Sequence, residues 1–446
     1  MADSPPLDVR TYRSRRPGDL LVAFARDLMS GIGRLDAVGG DAAWAVPRVG
    51  TGVVLLRHPD LVRAVLVERN ADVTKARGLR LAQAVLGHGL LTSEVPVHTR
   101  QRRLVLPAFH HQKLRGYAQT MVAMTEAEAD RWTPGEPLDV AAAMNRLALA
   151  IAGRPLFGAD VLEHADDVSA AVGVALAGFD RSQFPLADKL MWLPSPTLVR
   201  TRRARATLDR LVYTLIAERR AAGTEGREDL LSMLLDARDE DSGEAMTDEE
   251  VRDEAMTLLL AGHETTAVAL AWTFALLAQN PDAEAALFAE VDALAGPPGF
   301  DDLARLPVTR QVFAESMRLR PPAWAVGREA ARDTDLCGMP VRRGTTILFA
   351  PYFLHRDPRF WARPRLFDPD RFSAAGKADR HKFAYVPFSA GRRGCIGEQF
   401  AWTEGVLVLA ALARRWRLRL AGPVPDAHGS VTLRPKGPLR MVAEAR

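Results

Sequence analysis

Cysteine is almost missing from this chain. Cys337 and Cys395 are the only two in 446 residues, too few for a disulfide framework or a cysteine-rich zinc module. Lysine is scarce too, with six lysines against 53 arginines. Acids nearly match the bases and leave a formal charge of +4, so the arginine content reads as composition and not as a surface for a polyanion. No uninterrupted apolar run of membrane length occurs. The best candidate, residues 255–278, holds His263 and Glu264 at its middle, and a central Glu is costly in lipid. A helix buried inside a large soluble protein fits better. The N-terminal stretch has no apolar signal-peptide core, and its first apolar run breaks at Arg26 and Asp27. These absences predict a cytoplasmic protein without a membrane anchor. Repeats, Gly/Ser linkers and composition breaks are absent as well, so one domain is expected over residues 21–446 behind a flexible tail at 1–20.

What is present is helical periodicity. Apolar residues recur at spacings of three and four around 117–132, 138–152, 199–222 and 282–295. Thr247-Asp-Glu-Glu250 reads as a capping box, opening a helix over about 248–279 that ends where Asn280-Pro281 begins the next. Strand signals are few: residues 49–56, 345–350 and the tail around 431–433. Between Phe353 and Phe388 proline, arginine and aromatics crowd into an ordered coil. The fold class is mainly α with a small β portion.

The strongest chemical feature is the segment Phe388–Gly397, FSAGRRGCIG. Cys395 sits in a glycine-rich turn at the mouth of a helix, beside Arg392 and Arg393. Helix amides and arginine both favour a thiolate, so a lowered pKa is expected. As a small buried hydrophobe, the cysteine would leave the glycines and arginines unexplained. Two functional readings remain. A nucleophile of the phosphatase kind wants Arg six residues on, where Ala401 stands. A thiolate ligand to haem iron needs close approach of a flat cofactor, which Gly391 and Gly397 would permit, and amides aimed at the sulfur.

A second feature lies in the long helix, Ala261-Gly262-His263-Glu264-Thr265-Thr266. An acid beside a hydroxyl in an apolar helix is expensive unless it has a task. A metalloprotease reading fails because Ala267 stands where the second His belongs. Glu315 and Arg318 lie three apart and share a helix face. His98 and Arg102 lie four apart on another. The run Arg200, Arg202, Arg203, Arg205 has no interleaved aromatic and reads as a solvated helix face, so no nucleic acid is expected.

Phe388, Gly391, Arg393, Cys395 and Gly397 resemble the haem-thiolate signature of the cytochrome P450 family at every fixed position. The 261–266 segment is similar to that family's oxygen-activation motif, and Glu315-x-x-Arg318 with Arg371 to its buried ion network. His98, Arg102, Arg328 and Arg393 match its propionate-binding positions. The resemblance covers roughly residues 45–435. It implies haem b (iron protoporphyrin IX) ligated by Cys395, with Thr265 ordering a water chain and Glu264 relaying protons. One atom of O2 would then enter a C–H or C=C bond of a lipophilic small molecule such as a terpenoid, fatty acid or polyketide. Ferredoxin and an NAD(P)H-linked ferredoxin reductase are the implied electron source. A haem-thiolate sensor, an isomerase or dehydratase, or a peroxide-driven peroxygenase is the alternative. By analogy the pocket walls come from 76–95, 175–195, 256–265, 321–327 and 428–433, with Leu79, Leu81, Val85, Leu86, Leu90, Phe179, Phe184, Trp192, Leu259 and Trp324 making them apolar.

Overall fold

The computed structural model of the chain describes residues 6–14, 19–45, 52–158, 174 and 196–446. Its axis is the helix Asp248–Leu277, 30 residues long and so about 45 Å from end to end at 1.5 Å per residue. The expected capping box starts it: Glu250 N donates to Thr247 Oγ1 at 3.2 Å, and Thr247 N donates to Glu250 Oε2 at 2.9 Å. Asp248, Glu249 and Glu250 fill the first turn, where the helix dipole favours negative charge. Helices Val140–Phe157, Pro307–Leu319 and Glu398–Arg415 pack around it. A helix enclosed in this way needs no polar face, which is why its sequence resembled a membrane span. Among the described residues no helix is long and apolar enough to cross a membrane.

Helices His111–Ala129, Pro196–Ala222 and Pro281–Asp292 lie where the periodicity put them. Arg200, Arg202, Arg203 and Arg205 are all exposed while Ala204 and Leu208 face inward, as a solvated face requires. Periodicity missed several short helices near the N-terminus, among them Leu28–Asp36. That nine-residue helix starts on Asp27, whose carboxylate accepts the amides of Met29 and Ser30 at 3.3 and 3.0 Å. Capping outweighs pattern in an element so short.

Six strands form the main sheet of the described residues, in the spatial order Val9–Thr11, Ala42–Ala45, Val53–Leu56, Thr346–Phe349, Val326–Ala330, Val73–Lys75. The edge strand Val9–Thr11 falls inside the segment expected to be a tail and runs parallel to Ala42–Trp44. The pairing of Val73–Lys75 with Val326–Ala330 sets Lys75 opposite Arg328. Near the C-terminus, Ala427–Gly429 and Leu433–Pro435 make a hairpin.

The coil from 353 to 388 folds into short turns around buried Trp361, Phe372 and Phe383. Glu315 and Arg318 organise it. Both are fully buried, and the Arg318 Nε and Nη2 atoms donate to Glu315 at 2.6 and 2.7 Å. Arg318 also donates to the carbonyls of His355, Pro364 and Leu366, and Glu315 accepts the Asp368 amide at 2.9 Å. Arg371 completes the network 3.5 Å from Glu315, with its Nη atoms donating to Ala362 and Arg363 carbonyls. Together these bonds fix the coil that leads into the cysteine loop.

Candidate active site

The cysteine loop closes on itself through Cys395 N, which donates to Phe388 O at 2.9 Å. Ser389 and Gly391 take left-handed backbone angles, φ 60° and 70°. A Cβ on Gly391 would meet Leu66 O at 2.2 Å, so this glycine is required by packing on the turn Ala64–Glu68. That differs from the expectation that Gly391 makes room for a flat cofactor. Gly397 sits at φ −87°, at the N-cap of Glu398–Arg415, and a Cβ there would have only ordinary contact with Phe109, at 3.6 Å.

The Cys395 thiol has accessible surface, yet burial pushes its pKa up to about 11 against the pull of the Gly397 amide. The expected lowering fails for two physical reasons. Desolvation disfavours the thiolate, and the Arg393 guanidinium turns to Glu94 instead of the sulfur. A bound metal ion would reverse the balance, because it deprotonates a coordinating thiol outright.

The long helix is open at one place only among its central residues. Leu258, Leu259 and Leu260 on one side and Thr266, Ala267 and Val268 on the other are buried. Between them Ala261 is exposed, Gly262 and Thr265 are half-buried, and a Cβ on Gly262 would meet nothing within 4 Å. Thr265 donates its hydroxyl to Ala261 O at 2.7 Å. Glu264 points elsewhere: its two oxygens accept from Thr432 Oγ1 at 2.9 Å and Asn145 Nδ2 at 3.4 Å.

Beside the cysteine loop lies a cluster of cations. His98 is buried on the helix Val97–Val105, and Arg102, one turn on, donates to Gly394 O at 2.8 Å. Arg328 is buried on its strand, with Nε unpartnered among the described residues. Arg393 touches Glu94 through Nη2, and its Nε and Nη1 have no partner among the described residues. The sequence reading missed Lys75, a fifth member, whose Nζ donates to Leu90 O and Ser93 O at 2.8 and 2.6 Å. Burial, with Arg393 and Arg328 nearby, brings its pKa down to about 7. Burial and Lys75 likewise lower His98 to about 4, and burial with Arg393 lowers Arg328 to about 10. Like charges set opposite each other across a strand pair are destabilising, so Lys75 and Arg328 call for anions beyond Glu94.

Of the expected walls, Leu86 and Leu259 share one apolar cluster with Leu258, Leu91, Ile396 and Val431, bringing four separate segments to one place. Leu90 is buried, and Leu79 and Val85 are half-buried. Trp324 is core instead, 1% exposed and packed with Ile32, Leu35 and Leu433. Phe179, Phe184 and Trp192, and the Leu81 side chain, lie outside the described residues.

A cysteine loop backed by buried cations, with guanidinium nitrogens that lack partners among the described residues, defines the class of protein that holds a large anionic cofactor. Sequence comparison gives the same class. The family profile described as cytochrome P450 matches residues 41–441. Cyclooctatin synthase of Streptomyces melanosporofaciens is 40% identical over 402 residues, covering 88% of this chain and 86% of that protein. Pentalenene oxygenase of Streptomyces avermitilis is 37% identical over 384 residues, with 85% and 84% covered. The chain belongs to the cytochrome P450 family and is a haem-dependent monooxygenase that uses dioxygen.

Proposed function

We propose that Cys395 is the iron ligand and that His98, Arg102, Arg328 and Arg393 receive the haem propionates, with Lys75 as an additional cation. The observation that carries this reading is the set of buried guanidinium nitrogens on Arg328 and Arg393 that lack partners among the described residues, beside a thiol with accessible surface. Carboxylates suit such guanidiniums through charge-assisted bonds. The residues fit a haem. When bound, it supplies dioxygen activation and the oxidising equivalent for the substrate.

The protein's own part is to hold, exclude and deliver. The Gly397 amide steadies the sulfur. The apolar cluster of Leu86, Leu91, Leu259, Ile396 and Val431 holds a lipophilic substrate and keeps bulk water out. Thr265 exposes its hydroxyl at the break in the helix and orders water there, and Glu264, one residue back, delivers the proton. The substrate we assign is a terpenoid, on the apolar walls and on relatives named for cyclooctatin and pentalenene. Electrons come from a separate ferredoxin and its NAD(P)H-linked reductase, and the protein works as one haem domain that includes the edge strand Val9–Thr11, in the cytoplasm.

The test is reconstitution with haem, ferredoxin, reductase, NAD(P)H and isotopically labelled dioxygen on a panel of terpene hydrocarbons. One labelled oxygen atom per product molecule is expected. Thr265→Ala should keep haem content and substrate binding while diverting NAD(P)H consumption from product to hydrogen peroxide. Full coupling in that variant would remove Thr265 from the proton path, and unlabelled product would remove the oxygenase assignment for that substrate.

A further inference from the structure

The Glu264 carboxylate has partners that its proposed proton-delivery role does not by itself require. Thr432 donates to one oxygen at 2.9 Å, and the Asn145 amide donates to the other at 3.4 Å. Asn145 Nδ2 also lies 3.2 Å from His263 Nε2. Thr265 gives its hydroxyl to Ala261 O, so acid and alcohol do not bond each other. Among the described residues every side-chain partner of Glu264 comes from a distant part of the chain.

Thr432 is a fixed post. It is 2% exposed, in the turn between strands Ala427–Gly429 and Leu433–Pro435, and two indoles grip that turn on either side. Trp324 Nε1 donates to Ser430 O at 2.8 Å, and Trp272 Nε1 donates to Leu433 O at 2.6 Å. Leu433 N donates to Pro322 O at 3.0 Å, and Ser430 N to Thr432 O at 3.0 Å. A hydroxyl held so firmly fixes the rotamer of any flexible side chain bonded to it. Without Thr432, Glu264 would keep only the longer Asn145 bond and would sample other rotamers.

We propose that Thr432 is a positioning residue for Glu264, holding its carboxylate in the single orientation from which the proton is delivered. The inference rests on the reading of Glu264 as the proton carrier. Thr432 touches neither dioxygen nor substrate in this role and acts through Glu264 alone. Asn145 holds the second oxygen and also lies beside His263 Nε2.

Four haem-loaded proteins test it: Thr432→Val, which keeps the shape and removes the hydroxyl, Thr432→Ser, which keeps the hydroxyl, Glu264→Ala, and the Thr432→Val/Glu264→Ala pair. Thr432→Val should lower turnover roughly tenfold, less than the ~10²–10⁴ that a general acid–base group contributes, and change the solvent deuterium isotope effect. Substrate affinity by spectral titration should stay near wild type, and Thr432→Ser should restore both rate and isotope effect. In thermal melts Thr432→Val should cost stability in the wild-type background and nothing further beside Glu264→Ala. Additive melting losses, or a wild-type isotope effect in Thr432→Val, would overturn the proposal. Coupled melting losses with Glu264→Ala turning over normally would overturn the positioning role by a different route, because Glu264 would then carry no proton.

Discussion

Truncation of Glu315 to alanine gives the most direct test of how the cysteine loop is held. The substitution removes two charge-assisted bonds from Arg318, the acceptor of the Asp368 amide and the counter-charge 3.5 Å from Arg371. Arg318 stays fully buried, and its remaining partners are three carbonyls and the face of Trp361 at 5.0 Å. Breaking a buried pair from one side costs about 3–5 kcal/mol, from roughly a fifth upward of a typical folding free energy of roughly 5–15 kcal/mol. Burial raises the Glu315 pKa against the pull of Arg318, so the Coulomb gain does not by itself offset desolvation; joint satisfaction of the network does. Arg371→Ala should cost less, about 1–3 kcal/mol for lost bonds to Ala362 and Arg363 carbonyls, because its side chain is 11% exposed and its approach to Glu315 is longer. Denaturant unfolding of the haem-loaded proteins, with haem content measured alongside, ranks the two. Equal stabilities for Glu315→Ala and wild type, or a larger loss in Arg371→Ala, would refute the reasoning.

Cys395→Ser should lose the long-wavelength Soret band of the carbon monoxide complex, whereas Cys337→Ser, at an exposed hairpin turn, should keep it; the reduced difference spectrum decides. Gly391→Ala should give little haem-loaded protein, since its Cβ would press on Leu66 O at 2.2 Å at a φ of 70°; normal haem content would count against the packing argument. Glu404 is fully buried, both oxygens lack hydrogen-bond partners among the described residues, and burial raises its pKa to about 8 despite the nearby Thr266 hydroxyl. The folded state thus binds this proton more tightly than the unfolded state, so its contribution is full below pH about 4.5 and is lost as pH rises toward about 8. Glu404→Gln should gain on wild type across that window, by on the order of 3 kcal/mol at pH 7; a melting difference that is flat with pH would contradict it.

Some of this could be read from the chain because the relevant geometry is covalently local. Phe388–Gly397 is one loop, 261–266 is less than two helical turns, and Thr247 and Glu250 find each other across three residues. Even Glu404 left a trace, as an acid heading the apolar run GVLVLAALA. What sequence could not give was counter-charge. Lys75 meets Arg328 only through the register of two strands 253 positions apart, and Thr432 reaches Glu264 over 168. The Cys395 expectation failed because burial raises the thiol and because nothing near Arg393 in sequence says that Glu94 will take its guanidinium.

The same non-local placement has a consequence for stability. Lys75, Arg328 and Arg393 lie around the Glu94 carboxylate, and the lowered pKa values of Lys75 and Arg328 record burial together with the repulsion from neighbouring cations. Two propionates would supply the missing negative charge, and a ligand that binds only the folded state stabilises it by mass action. Melting temperature should therefore rise with haem loading, and the gain should shrink in Arg328→Met, where one of the opposed charges is gone. Thermal scans at graded haem content measure both. An Arg328→Met protein that gains as much from haem as wild type would show that this cation does not receive the cofactor's charge.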